Sequence, residues 1–431
     1  METPEKLNYL QVELEKYDRR AKKVSENPDP KLMKINKLYY ELWRDHRKRQ
    51  VQAWERGEPF VYCQATAIRP LVAMGLHPIE MAELADRVRP NISMRYFNKA
   101  RSVGFPSDIC DWCQVGSGMA LMGEIPAPAL VYAEYCECGI TTQQALWMAR
   151  HFKVPFFGID VPIELNWRNL EYVTRQLEDM IAEIERLLPG HKYDEAKHKA
   201  LLERDLEVQN YVDEILELSK VTPTPLAGKD AVRMAPLEID DDRLPEYYRQ
   251  LRDEIKQRLE EGNFPLSEEK ARLYWLAAIP NFTDPFGFLE KRGIASPLFE
   301  EAPGVSGGNR LGRENQERYG RKLTPLQEEA AFLSSRHWGG TAERRLEDVM
   351  RWSKKYKIDG LVHLMMPGCP TCIGTARIIA DKARDELGIP TLITDGWIQD
   401  YEKFNEPEFQ AKLEAFTDMI VEKKKDSDKE S

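Results

Sequence analysis

DGLVHLMMPGCPTCIGTARIIADKARDELGIPTLITDGW, residues 359–397, is the stretch that decides the fold. It opens on an apolar run of strand length and turns at Pro367 and Gly368. It then delivers two cysteines, Cys369 and Cys372. GTARIIADKARDELG, residues 374–388, carries apolar side chains at helical spacing, and IPTLITD returns as a second apolar run. Strand, loop, helix and strand in that order mark a parallel βαβ unit. Ligands of open parallel sheets bind beyond the carboxyl ends of the strands, which is where this reading puts Cys369.

The same logic recurs upstream. PFVYCQATAIRPLVAMGLHPIEM begins a strand near Phe60, followed by a loop bearing Cys63 and a helix. Residues 130–136, LVYAEYC, read as a strand ending in Cys136; TTQQALWMARHF reads as a helix and residues 155–162, PFFGIDVP, as the next strand. Only the organisation repeats, not the sequence. Residues 1–57 read as helical, with a basic run from Arg44 to Arg49 that is either a solvated face or a surface for an anionic partner. Two long amphipathic stretches lie between the α/β regions, TPTPLAGKD at 222–230 reads as a linker, and residues 243–261 as a helix. The expected architecture is α/β: a helical element (1–58), a first α/β domain (59–221) carrying Cys110 and Cys136, and a second (222–431) carrying Cys369.

The chain has 431 residues, 42% hydrophobic and 31% charged, as expected of a globular protein with two or three domains. A formal charge of −10 argues against a nucleic-acid partner. No run approaches the roughly 18 apolar residues of a spanning helix. The polar N-terminus METPEKLNYL does not read as a secretory signal. Seven cysteines, an odd number in a long chain, fit a disulfide scaffold poorly, so the expected compartment is the reducing cytoplasm. The tail EKKKDSDKES is expected to fray.

Six of the cysteines form close pairs: Cys110 with Cys113, Cys136 with Cys138, and Cys369 with Cys372. A Cys-x-x-Cys is compatible with a thioredoxin-like redox pair or half a zinc site. Thiolates from separate loops suit an iron–sulfur cluster, which needs at most four of them. Cluster, zinc site and buried structural cysteines all remain open on spacing alone. His363 lies inside an apolar strand, as a core residue or lining a cluster pocket; His337 precedes Trp338 and two glycines; His77 reads as structural. Glu134, Glu137, Asp160 and Glu164 flank the strand ends as proton donors, ligand-orienting groups or helix caps. The glycine-rich segment 304–312 has neither the Lys-Ser/Thr of a P-loop nor a dinucleotide fingerprint, so it points to neither ATP nor NAD.

Four blocks, YCQATAIRPLVAMGLHPIE, FPSDICDWCQVGSGMALMG, YAEYCECGITTQQALW with PFFGIDVP, and HLMMPGCPTCIGTARIIADKARDELGIPTLITDG, resemble the 2-hydroxyacyl-CoA dehydratase and benzoyl-CoA reductase family. The resemblance implies a helical element with two flavodoxin-like domains, paired homologous subunits, and a [4Fe–4S] cluster. By position it assigns the three-cysteine ligand set to Cys110, Cys136 and Cys369, leaving the fourth iron site to a non-cysteine ligand, water or substrate. Cys113, Cys138 and Cys372 are extra to that pattern. It also implies a separate ATP-hydrolysing iron–sulfur activator, and either of two reactions on an acyl-CoA. One is loss of water from a 2-hydroxyacyl-CoA through a ketyl radical; the other is ring reduction of benzoyl-CoA. The Gln/Thr run after Cys138 departs from the charged segment frequent in dehydratases, and tryptophans flank the loops. These features favour the reductase, with Trp112, Trp338 and Trp397 as candidates for an aromatic platform. The dehydratase, and a non-catalytic electron-relay subunit, are the competing expectations.

Overall fold

The computed structural model describes residues 8–26, 33–64, 68–86, 88–135, 138–232, 239–302, 304–305, 310–336 and 338–430. Two N-terminal helices, Tyr9–Glu26 and Asn36–Glu55, precede two four-stranded sheets. The first sheet comprises β1 (Phe60–Cys63), β2 (His77–Glu80), β3 (Pro128–Tyr135) and β4 (Phe156–Asp160), in the order β2-β1-β3-β4. The second comprises β5 (Ala271–Leu276), β6 (Ile294–Phe299), β7 (Gly360–Met365) and β8 (Thr391–Asp395), in the order β6-β5-β7-β8. Every strand pair is parallel. Both are flavodoxin-like sheets in which the strand order reverses between the two central strands, at the carboxyl ends of which such sheets bind ligands.

Strand alternation explains the layers of the first sheet. Phe60 and Tyr62 of β1 join Val131 and Ala133 of β3 in one core, covered by side chains of helices Pro90–Ser102, Asp111–Met122 and Gly139–Phe152. Val61 and Cys63 join Leu130 and Tyr132 in the other, against helices Trp167–Leu187 and Pro325–Ser334. A period of two therefore sends successive residues to opposite covered faces, as a sheet buried on both sides requires. In the second sheet all six residues of β5 and of β6 are buried.

The chain divides into two compact units. The first is Met1–Gln209, Leu237–Arg249 and Gly308–Gly340; the second is Asn210–Pro236, Gln250–Gly307 and Thr341–Ser431. The first unit thus recruits a late segment. Helix Pro325–Ser334, begun by a Thr324/Gln327 capping box, places Ala330, Ala331 and Leu333 in the same core as Leu170 and Leu177, and Leu323 just before it joins them.

Three local readings change. Strand β2 stands where the sequence reading has helix, and β5 and β6 lie in the expected second α/β region at positions to which that reading assigns no element. Residues 224–227 of the supposed linker are buried, with Thr224 Oγ1 donating to the Leu226 carbonyl at 2.8 Å. Residues 422–430 of the C-terminal tail belong to helix Glu406–Glu430, and Lys424 pairs with Asp359 at 2.8 Å. Among the described residues no helix is long and apolar enough to cross a membrane.

Candidate functional site

Three cysteines occupy the same local position, the residue immediately before a helix. Cys110 precedes helix Asp111–Met122, Cys138 precedes Gly139–Phe152, and Cys369 precedes Pro370–Leu387. The first-turn amides of a helix lack intrahelical acceptors and carry partial positive charge, which favours an anionic sulfur there. In both Cys-x-x-Cys motifs the second cysteine falls in the first helical turn, and both Cys113 and Cys372 are 1% exposed.

In the first unit Cys110 and Cys138 are electrostatic neighbours. Burial pushes the Cys138 thiol up and the Cys110 sulfur adds to that, against backbone donation from Ile140 and Thr141. Neutral side chains hold these two helix starts. Gln114 Nε2 donates to the Ile109 carbonyl at 2.8 Å, and Gln144 Nε2 donates to the Cys113 carbonyl at 2.9 Å. Thr142 Oγ1 donates to the Cys138 carbonyl and to Gln64 Oε1, each at 3.1 Å. Gly118 permits the approach of the preceding helix, because a Cβ there would lie 2.3 Å from the Tyr96 carbonyl oxygen.

Glu134, near the carboxyl end of β3, is 1% exposed, accepts a hydrogen bond from Tyr132 Oη at 3.1 Å and lies 3.7 Å from Arg336. The other flanking carboxylates read differently. Asp160 accepts from Tyr172 Oη at 3.1 Å at the surface, and Glu164 accepts from Asn166, the cap of helix Trp167–Leu187, at 3.3 Å. Cys136, Glu137 and His337 lie outside the described residues. His77 bonds Glu58 Oε2 at 2.7 Å and stacks obliquely on Phe60, as a structural residue.

In the second unit a buried ion pair underlies the thiols. Arg345 binds Glu300 with Nε and Nη2 at 2.7 and 2.8 Å, both side chains at most 1% exposed. Arg345 Nη1 also donates to the Thr371 carbonyl at 3.0 Å and to Thr375 Oγ1, gripping the turn that carries Cys369 and Cys372. Glu300 in turn accepts from the backbone N–H of Ala277 at 2.6 Å, a residue held at φ +62° at the end of β5. The Cys372 thiol hydrogen-bonds Cys369, and with the Cys372 and Thr371 amides and Arg345 it draws the Cys369 thiol down to about 7, against the effect of burial. The same thiol–thiol bond and burial push Cys372 up. Burial, reinforced by Arg345, lowers His363 to about 4, so this core histidine is neutral at pH 7.

Among the described residues no three His, Cys, Asp or Glu side chains are grouped to hold a metal ion. Of the ligand set expected from the resemblance, Cys110 belongs to the first unit, Cys369 to the second, and Cys136 is outside the described residues. The donor chemistry fits a thiophilic cluster in one respect: thiols stand at helix N-termini, and backbone amides reach Cys138 and Cys369. Glu300 and Arg345 escaped the sequence reading. The signal was a glutamate directly following a mainly apolar strand, IASPLFE, whereas Glu134 lies inside β3.

Residues 66–420 match the family defined by the D-component of 2-hydroxyglutaryl-CoA dehydratase. The chain is 22% identical over 421 residues to the alpha subunit of (R)-phenyllactyl-CoA dehydratase from Clostridium sporogenes, covering 92% of this chain and 98% of that one. It is 21% identical to the alpha subunit of lactoyl-CoA dehydratase from Anaerotignum propionicum, covering 90% and 97% respectively. It is 22% identical to a benzoyl-CoA reductase subunit from Thauera aromatica, covering 75% of this chain and 79% of that one. With four-fifths of its length inside the family match, this chain belongs to the 2-hydroxyglutaryl-CoA dehydratase D-component family, within the acyl-CoA dehydratase and reductase superfamily.

Proposed function

We propose that this chain is a subunit of a 2-hydroxyacyl-CoA dehydratase, removing water from a 2-hydroxyacyl thioester through a ketyl radical. The observation that carries the reading is the end-to-end correspondence with the phenyllactyl-CoA dehydratase alpha subunit, 92% of one chain and 98% of the other. This reverses the preference for a benzoyl-CoA reductase drawn from the Gln/Thr run and the tryptophans. Both the family match and two of the three relatives carry dehydratase names, and the reductase relative aligns over less of the chain.

The proposed holders of a [4Fe–4S] cluster are Cys110, Cys136 and Cys369, with Cys138 beside Cys110 as the alternative to Cys136. Such a cluster, when bound, supplies single electrons at low potential. The residues of this chain do the rest. Helix-start amides donate to the sulfurs of Cys138 and Cys369, while Gln114, Thr142 and Gln144 fix the loops of the first unit. Glu134, buried beside Arg336, is the proposed carboxylate for handling a proton at the carboxyl end of β3. A homologous second subunit and a separate ATP-hydrolysing activator complete the proposed system, located in the cytoplasm.

The test is anoxic co-purification with the partner, iron analysis, and turnover with activator, ATP and reductant. Phenyllactyl-CoA or lactoyl-CoA losing one water, read by mass spectrometry, is the expected result, with benzoyl-CoA unchanged. Ring reduction of benzoyl-CoA without dehydration would move the assignment to the second reading, which the Thauera relative favours. Iron-free protein with intact fold would overturn the cluster assignment.

A further inference from the structure

Cys372 is extra to the three-cysteine pattern, yet it is in direct contact with Cys369. The two thiols share a hydrogen bond at the start of helix Pro370–Leu387, one immediately before the helix and the other in its first turn. Side chains three apart at a helix start are neighbours. Sulfurs within hydrogen-bond reach need little more than side-chain rotation to reach the separation and dihedral of a disulfide. The two thiols differ in access: Cys369 is half-buried, whereas Cys372 is 1% exposed. An incoming reagent therefore meets Cys369 first, and Cys372 waits behind it. The turn is held from below by Arg345, through the Thr371 carbonyl and Thr375 Oγ1. Cys110 and Cys113 have the same spacing before and within a helix, but both are buried, at 5% and 1% exposure. They offer no comparable point of attack.

We propose that Cys369 and Cys372 form a thiol–disulfide exchange site for small-molecule disulfides in the metal-free chain. The Cys369 sulfur, as thiolate, attacks one sulfur of the reagent RSSR. The S–S bond breaks, one RS⁻ leaves and takes up a proton, and a mixed disulfide remains on Cys369. Cys372 gives its proton to solvent and attacks the Cys369 sulfur, releasing the second RS⁻, which is protonated in turn. The sum is two cysteine thiols plus RSSR giving one intrachain disulfide plus two RSH, with two electrons passed to the reagent. The exchange site stands on the local geometry alone. Its consequence, that oxidation withdraws Cys369 from metal ligation until excess thiol restores it, rests on the cluster reading proposed above.

The experiment uses the full-length, metal-free, anoxically reduced chain, equilibrated with graded glutathione and glutathione disulfide. Acid quenching, unfolding, maleimide labelling and peptide mass spectrometry then follow. In the wild type the peptide holding Cys369 and Cys372 should lose both labels together and carry no glutathione, while Cys110 and Cys113 stay labelled. Cys372→Ser should accumulate glutathione on Cys369. In Cys369→Ser, native-state labelling of Cys372 should be about tenfold slower than that of Cys369 in the wild type, as expected for a shielded thiol. Two retained labels in the wild type at every glutathione ratio would overturn the proposal, and so would a bond to any other cysteine. Because the wild type alone decides the main point, a variant that fails to fold does not rescue the idea. Disulfide formation in a chain that never binds iron would leave the exchange site standing and remove the cluster reading. Iron binding without disulfide formation would do the reverse.

Discussion

The first unit steadies its helix-start cysteines with uncharged side chains, Gln114, Thr142 and Gln144, each reaching a backbone carbonyl. The second steadies Cys369 and Cys372 with a buried Arg345–Glu300 pair that reaches from the end of β6 to the start of helix Pro370–Leu387. The first unit has a buried pair too, but elsewhere. Arg69 binds Glu329 at 2.8 Å and Asp205 at 2.9 Å, with its guanidinium 4.3 Å over the Phe332 ring. That pair joins helix Ile68–Ala73 to the late-arriving helix Pro325–Ser334. The outcomes for sulfur differ in sign: Cys138 is pushed up and Cys369 drawn down. A helix start is therefore not enough to make a thiolate. Burial is the main opponent of charge at Cys138, with the second sulfur adding to it, whereas at Cys369 the thiol donor, backed by amides and a cation, outweighs burial.

The largest effects should come from the ion pairs. Arg69→Met and Arg345→Met should each cost about 3–5 kcal/mol in urea unfolding, since each strands buried carboxylate charge. Hydrogen exchange should place the first loss around residues 68–73 and 325–334 and the second around residues 370–376. A cost under about 1 kcal/mol for either would mean that its pair behaves as a surface contact, and the parallel between the units would break.

Next comes the pH response of the second unit. His363, lowered to about 4, stays neutral while an unfolded histidine protonates below about 6.5. The unfolded chain binds more protons in that window, so this contribution is complete above about pH 6.5 and is lost as pH falls toward about 4. The loss should be on the order of 3 kcal/mol, and it should vanish in His363→Leu when stability is followed across pH 4–7.5.

The smallest contrast concerns close approaches. A Cβ at Gly118 would meet the Tyr96 backbone at 2.3 Å, whereas one at Gly396 would meet the Leu364 side chain at 2.2 Å. Backbone cannot step aside and a leucine end can. Gly118→Ala should therefore cost about 3 kcal/mol and Gly396→Ala about 1 kcal/mol in thermal unfolding. Equal costs would show that Leu364 is as fixed as the Tyr96 backbone.

The central strands β3 and β7, the helices that follow them and the placing of cysteines at their junctions were legible from residue order. A continuous apolar run, a turn and a helical period are local properties, and they survive whatever the rest of the chain does. The edge strand β2 was not legible, because HPIE is four residues long and runs straight into a helix. Nor were β5 and β6, whose sequences ARLYWL and IASPLF interrupt the apolar run with Arg272 and with Ser296 and Pro297.

Residue order alone is enough to make the chain α/β, to give it two parallel-stranded sheets after N-terminal helices, and to set its cysteines near strand and helix ends. Which thiols touch, and which charges lie beneath them, was settled by packing. Arg345 and Glu300 are 45 residues apart, Arg69 and Glu329 are 260 apart, and no local pattern relates them. A thiol's proton affinity depends on the dielectric and the donors within a few ångströms, and those are set by contacts between distant segments.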